Sequence, residues 1–127
     1  MNKGVSTLIV SLMFISCISL KNNQVSSLPL ADPFILNYDN RYFAYGTSSD
    51  LGFEVYHSDD LRLWTKHTQL LLSKDDSFGD KWFWAPEVYY NAKTSIFYLF
   101  YSAEEHICVA TADSPLGPFR QADKKPM

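Results

Sequence analysis

The feature that most constrains this chain is an internal repeat. Leu30-Ala31-Asp32-Pro33-Phe34-Ile35 is answered roughly 53 residues later by Trp84-Ala85-Pro86-Glu87-Val88. Each segment sets a carboxylate beside a proline at the start of an apolar run. The residues downstream of each are also alike. Asn37 to Gly46 matches Tyr90 to Leu99, and Val55-Tyr56-His57-Ser58-Asp59 matches Val109-Ala110-Thr111-Ala112-Asp113. Trp64 closes the first unit and Phe119 the second. Repeats of about 40 to 55 residues built from short strands read as β-propeller blades.

Alternation and turn residues place the strands. In the first unit they are expected at 32–36, 41–47, 53–58 and 62–66, with a turn at Tyr38-Asp39-Asn40. In the second they are expected at 86–90, 96–102 and 106–111, with a fourth starting near 118–121. Residues 67–81 link the units, and Lys74 to Asp80 reads as a solvated loop. The fold class is therefore all-β, and the chain holds about two blades. Each blade packs on neighbours through both faces, so two blades leave two apolar sheet faces open. Closed propellers use about four to eight blades. The 127 residues are accordingly expected to be the N-terminal part of a longer protein.

The N-terminus reads as export machinery. Lys3 supplies a positive start, and Val5 to Leu20 is apolar with small residues interspersed, so residues 1–20 are expected to be a signal peptide. Phe14-Ile15-Ser16-Cys17 resembles a bacterial lipobox, which makes Cys17 a candidate for lipid modification and membrane anchoring. Ordinary cleavage near Ser19 or Ser27 is the competing reading. Either route puts the mature protein in the periplasm, at the cell surface or in the medium. Residues 21–29 read as a polar tether, and 30–127 as the blades. With Cys17 modified or removed, Cys108 stands alone in an apolar run, as a small buried hydrophobe. The formal net charge of -3 gives no basic face, which argues against nucleic acid as a partner. An aromatic content of 16% supplies strands and also flat surfaces on which sugars stack.

Five motifs in order carry a resemblance. They are Leu30-Ala31-Asp32-Pro33-Phe34-Ile35, Tyr42-Phe43-Ala44-Tyr45-Gly46-Thr47, His57 to Trp64, Trp84-Ala85-Pro86-Glu87-Val88 and Ala112 to Phe119. Together, over about residues 29–121, they resemble the opening of glycoside hydrolase family 43. The resemblance implies a five-bladed β-propeller with its active site at the mouth of the central channel. It implies an inverting glycosidase acting on arabinofuranosides, xylosides and related plant polysaccharides. Asp32 would be the general base, and Trp84 and Ala85 would line the sugar subsite.

The chemistry suits those roles. An ionised carboxylate can deprotonate a water that attacks the anomeric carbon, while a protonated carboxyl about 6.5–9.5 Å away serves the leaving group. In the family that acid, and an Asp that raises its pKa, belong to later blades and have no counterpart in this segment. Glu87 is tempting as the acid, but the family gives its position no such role. Hydrogen bonding near the channel is the better expectation for it. Trp82 and Phe83 read as blade packing. Asp59, Asp60 and Asp113 read as turn caps, and His57, His67 and His106 as structural or surface residues. No cofactor is called for. Some family members hold an ion in the channel, but the segment offers no clear metal ligands. Two rivals stand beside this reading. The invertase and fructanase propellers place a nucleophilic Asp near the first strand, but usually beside an Asn that Leu30-Ala31-Asp32-Pro33 lacks. A glycan-binding propeller piece would keep Trp84 and lose catalysis.

Overall fold

The computed structural model describes residues 24–127. The expected signal peptide, Cys17 and the first residues of the tether lie outside the described residues. Among the described residues, nine strands make up two antiparallel sheets. They are β1 (Gln24–Val25), β2 (Ala31–Tyr38), β3 (Arg41–Ser49), β4 (Gly52–Ser58), β5 (Trp64–Lys66), β6 (Leu72–Ser73), β7 (Trp84–Asn91), β8 (Ile96–Ala103) and β9 (His106–Ala112). The first sheet runs β1-β5-β4-β3-β2, with β6 also on β4, and the second runs β7-β8-β9. Each is an up-and-down blade, as the repeat required.

Turn chemistry sets the registers. Tyr38 pairs with Arg41 across Asp39-Asn40, both at positive φ (50° and 57°). That is the pattern of a two-residue turn matched to strand twist, and Asn and Asp tolerate it best. In the second blade Asn91 pairs with Ile96 across four residues. The Asn91 side chain accepts the Lys93 amide at 3.0 Å, and its carbonyl accepts that of Ser95 at 2.8 Å. The longer hairpin shifts the repeat. The structural counterpart of Gly46 is Tyr101, not Leu99, although Val55 still matches Val109 as expected.

The two sheets bury their facing sides against each other. Phe43, Tyr45, Phe53 and Val55 of the first meet Val88, Phe97, Leu99, Tyr101, Cys108 and Ala110 of the second. Aromatic edges interlock there: Phe53 lies edge-on to Phe83 at 5.8 Å and to Tyr101 at 5.6 Å. Each such side chain contributes about 1.5–3 kcal/mol by leaving water. Trp64 and Phe119 are both buried, as repeat closers should be, but in different places. Trp64 packs with Ala44 and Tyr56 on the outer face of the first blade, and Phe119 joins the core between the blades. The fourth strand of the second blade is reduced to one bridge, Thr111 with Arg120.

Two expectations fail here. The tether reading breaks at Gln24–Val25, which pairs with Thr65 and Trp64, while Val25, Leu28 and Leu30 pack on the outer Trp64 cluster. The solvated-loop reading of Lys74 to Asp80 fails at Ser77, which is buried although Asp75 and Asp80 are exposed, and the link ahead of that stretch is anchored in the core. Leu71 and Leu72 are fully buried, and Leu72 pairs with Phe53. Gly52 makes that approach feasible, since at φ 130° its hydrogen faces the Leu72 carbonyl, where a Cβ would lie 2.0 Å away. A short 3-10 turn at Lys74–Asp76 then leads to buried Ser77. The far face of the second blade, carrying Tyr89 and Ile107, is exposed, as an unpartnered blade face must be.

A buried polar knot locks the link to the second blade. The Tyr101 hydroxyl lies 2.6 Å from Ser77 Oγ and 3.3 Å from Gln121 Oε1, which also accepts the Phe78 amide at 2.7 Å. Burial pushes the Tyr101 phenol up to about 12 and raises Tyr45 further still. A raised phenol keeps its proton in the folded state after the unfolded chain has lost it. Its stabilisation is therefore complete below pH 10 and is lost as pH rises from about 10 toward 12. Urea titrations should show stability falling over that window, and Tyr101→Phe should flatten the fall while lowering stability at pH 7.

Candidate functional site

The site grows from a backbone irregularity that occurs once per blade. In β2 the register jumps between Ala31, opposite Thr47, and Phe34, opposite Tyr45. In β7 it jumps between Trp84, opposite Ser102, and Glu87, opposite Phe100. Both are bulges at the proline, where a missing N–H cannot serve the ladder. The residue before each proline is forced to positive φ: Asp32 at 48° and Ala85 at 46°. Such strain in residues other than glycine points to function when the surroundings enforce it. Structurally, then, Asp32 corresponds to Ala85 and Glu87 to Phe34, so the two carboxylates of the repeat are not equivalent.

Because β2 and β7 lie side by side, the bulges meet. Thr47 Oγ1 accepts the Ala85 amide at 3.1 Å and donates to Asp32 Oδ2 at 3.5 Å. With one lone pair accepting from Ala85, the hydroxyl points its single proton at the carboxylate. One blade supplies the acid, the other an amide, and Thr47 joins them. Gly46 permits this, because a Cβ there would sit 2.7 Å from the Ala31 carbonyl. Asp32 and Ala85 are exposed, and Trp84 beside them is 42% exposed. The structure thus joins Asp32 to Ala85 through Thr47, with Trp84 next to Ala85 in the chain. Sequence reasoning misses Thr47. It lies within one of the five motifs, but nothing in the sequence shows that a bulge will turn Asp32 toward it.

The remaining polar and aromatic candidates take simpler roles. Glu87 is exposed and accepts the Tyr89 hydroxyl at 2.6 Å, which raises the Tyr89 phenol. Phe83 is buried as expected, but Trp82 is 42% exposed and stacks on Trp84, with ring centres 6.1 Å apart. Asp60 is a turn cap, taking the Arg62 and Leu63 amides at 2.8 and 3.0 Å. The Leu63 and Arg62 amides hold its carboxyl below the usual range. Asp59 instead pairs with Arg41 at 2.8 Å. After β9 the cap is Ser114, which accepts the Leu116 amide at 3.2 Å, rather than Asp113. His57 is partly buried, and burial with nearby Arg41 lowers its pKa. His67 is half-buried along the link, and exposed His106 rests its ring against Phe78. Among the described residues, no three His, Cys, Asp or Glu side chains are grouped to hold a metal ion.

If Thr47 is the joint between blades, Thr47→Val should speed hydrogen exchange at the Ala85 amide by tenfold or so, about 1.4 kcal/mol of lost protection. Thr47→Ser should leave it near wild type. The comparison is read by NMR.

A family model described as glycosyl hydrolases family 43 matches residues 21–127. Among solved structures, an endo-1,4-β-xylanase from Bacteroides thetaiotaomicron is 54% identical with a TM-score of 0.73, over 78% of this chain and 35% of that one. An endo-arabinase from the same organism is 33% identical with a TM-score of 0.66, over 80% of this chain and 37% of that one. An exo-β-1,3-galactanase from Phanerochaete chrysosporium shares the fold at 22% identity and a TM-score of 0.66, over 77% of this chain and 29% of that one. The chain thus spans about a third of the length of these enzymes. No curated protein sequence matches it significantly.

Proposed function

Because the chain belongs to glycoside hydrolase family 43, we propose that it forms the base-bearing part of an inverting glycosidase. The substrate class is pentose-containing plant polysaccharide, either a β-xyloside or an α-L-arabinofuranoside polymer. The greater identity to a protein described as an endo-1,4-β-xylanase favours xylan. Asp32 acts as the general base, and Trp84 and Ala85 shape the sugar subsite. Export, and a lipid on Cys17, belong to the same proposal, since such polymers are met outside the cell.

The observation that supports this reading best is the exposed Asp32–Thr47–Ala85 arrangement beside Trp84. A carboxylate held by one hydroxyl keeps its other oxygen free for water. The exposed indole of Trp84, next to Ala85, suits the C–H face of a pentose. Inversion needs a second, protonated carboxyl across the glycosidic bond. In this proposal the rest of the intact protein provides it, and Glu87, committed to Tyr89, does not.

Two assays test the assignment. The 127-residue chain should release no more sugar from aryl xyloside or arabinofuranoside than its Asp32→Ala variant. Release above that control contradicts the missing acid. In the protein encoded by the full reading frame, Asp32→Ala should lower kcat by about 10²–10⁴. Unchanged turnover there would remove Asp32 from the mechanism.

A further inference from the structure

Trp82 does not do what its neighbours in sequence suggest. Phe83 points into the core at 2% exposure, while Trp82, at positive φ just ahead of β7, and Trp84, its first residue, both stand outward. Both indoles are 42% exposed, and their planes lie within 21° of each other at 6.1 Å between centres. That separation exceeds the thickness of a ring, so the two are displaced sideways and form a stepped platform rather than a closed sandwich. Large exposed aromatics placed in register are costly in water and call for an occupant.

The platform is held rigidly. Trp82 sits at φ 57° outside any hairpin, joining Asp32 and Ala85 as strained residues around the site. Its loop is tied to the β8–β9 turn at both sides: Glu104 Oε1 accepts the Asp80 amide at 3.1 Å, and the Lys81 carbonyl accepts the Glu104 amide at 3.2 Å. Lys81 Nζ lies 4.1 Å from the centre of the Trp82 ring and orients it further. An indole fixed in advance loses little side-chain entropy when a ligand stacks on it.

We propose that Trp82 is a second sugar-stacking position, which continues the Trp84 subsite away from Asp32 and receives the next residue of a pentose polymer. The inference rests on the sugar-site reading of Trp84. It deepens that reading by making the occupant a chain of sugars rather than a single terminal one. The indole surface left exposed beside the Lys81 ammonium suits the unsubstituted C–H faces of successive pentoses, and it needs no charge on the ligand.

The test is binding, which needs no catalytic acid. Affinities of the full 127-residue chain for xylohexaose, xylobiose and arabinohexaose would be measured by calorimetry for wild type, Trp82→Ala, Trp82→Phe and Trp84→Ala. Far-UV circular dichroism would verify that each variant is folded. Trp82→Ala should weaken the preferred hexasaccharide about five- to tenfold and the disaccharide less than about twofold. Trp82→Phe should recover most of the loss, and Trp84→Ala should weaken both lengths. If wild type binds a hexasaccharide and Trp82→Ala binds it equally well, or loses both lengths alike, the second position is wrong while the sugar site stands. If wild type binds none of the three, the sugar-site reading fails and Trp82 falls with it.

Discussion

The contact on which the rest depends is the burial of one sheet face against the other. Neither blade alone can hide its apolar side, and the Phe53, Phe83 and Tyr101 rings interlock across the joint. The link contributes Leu71 and Leu72 to the same core, and the Tyr45 hydroxyl crosses to the Pro115 carbonyl at 2.9 Å. This packing brings β2 beside β7 at the ends where their bulges lie. The meeting of Asp32, Thr47 and Ala85 is thus a consequence of core packing rather than of any strong bond among the three.

The repeat then shows how one backbone device serves two ends. Both blades bulge at a proline and force the preceding residue to positive φ. In the first blade that residue is an acid, whose carboxylate faces solvent. In the second it is alanine, whose side chain is negligible and whose amide is what the site uses. The partner across each bulge is a small hydroxyl residue, Thr47 or Ser102. One copy of the shared strain presents a carboxylate and the other an amide, and Thr47 bonds both.

Much of this is legible in the residues themselves. Strand alternation, the Asp39-Asn40 turn and the paired proline segments are enough for two blades, and the motif order for the family; it also singles out Asp32 and Ala85, which Thr47 joins. What escapes has physical causes. The two extra residues between Asn91 and Ile96 displace the repeat, which pattern matching without gaps cannot detect. The buried link hides behind its acidic stretch, although Leu70-Leu71-Leu72 is the signal. Val25 joins the first sheet because Trp64 offers it an apolar edge, a contact between residues too far apart to be read locally. Trp82 looks like core because its triplet is aromatic, and the positive φ it adopts just ahead of β7 is not marked by a glycine or asparagine.

The central claim is that Asp32 serves water on the face of the sugar opposite the leaving group. Azide rescue tests it most directly. Removing the carboxylate in Asp32→Ala vacates space on that face, which a small anionic nucleophile can fill. In the protein encoded by the full reading frame, azide is then expected to restore turnover of an aryl xyloside or arabinofuranoside. The product would be a glycosyl azide of inverted anomeric configuration, identified by proton NMR. A glycosyl azide of retained configuration, or no rescue from a variant that is folded and still binds substrate, would contradict it.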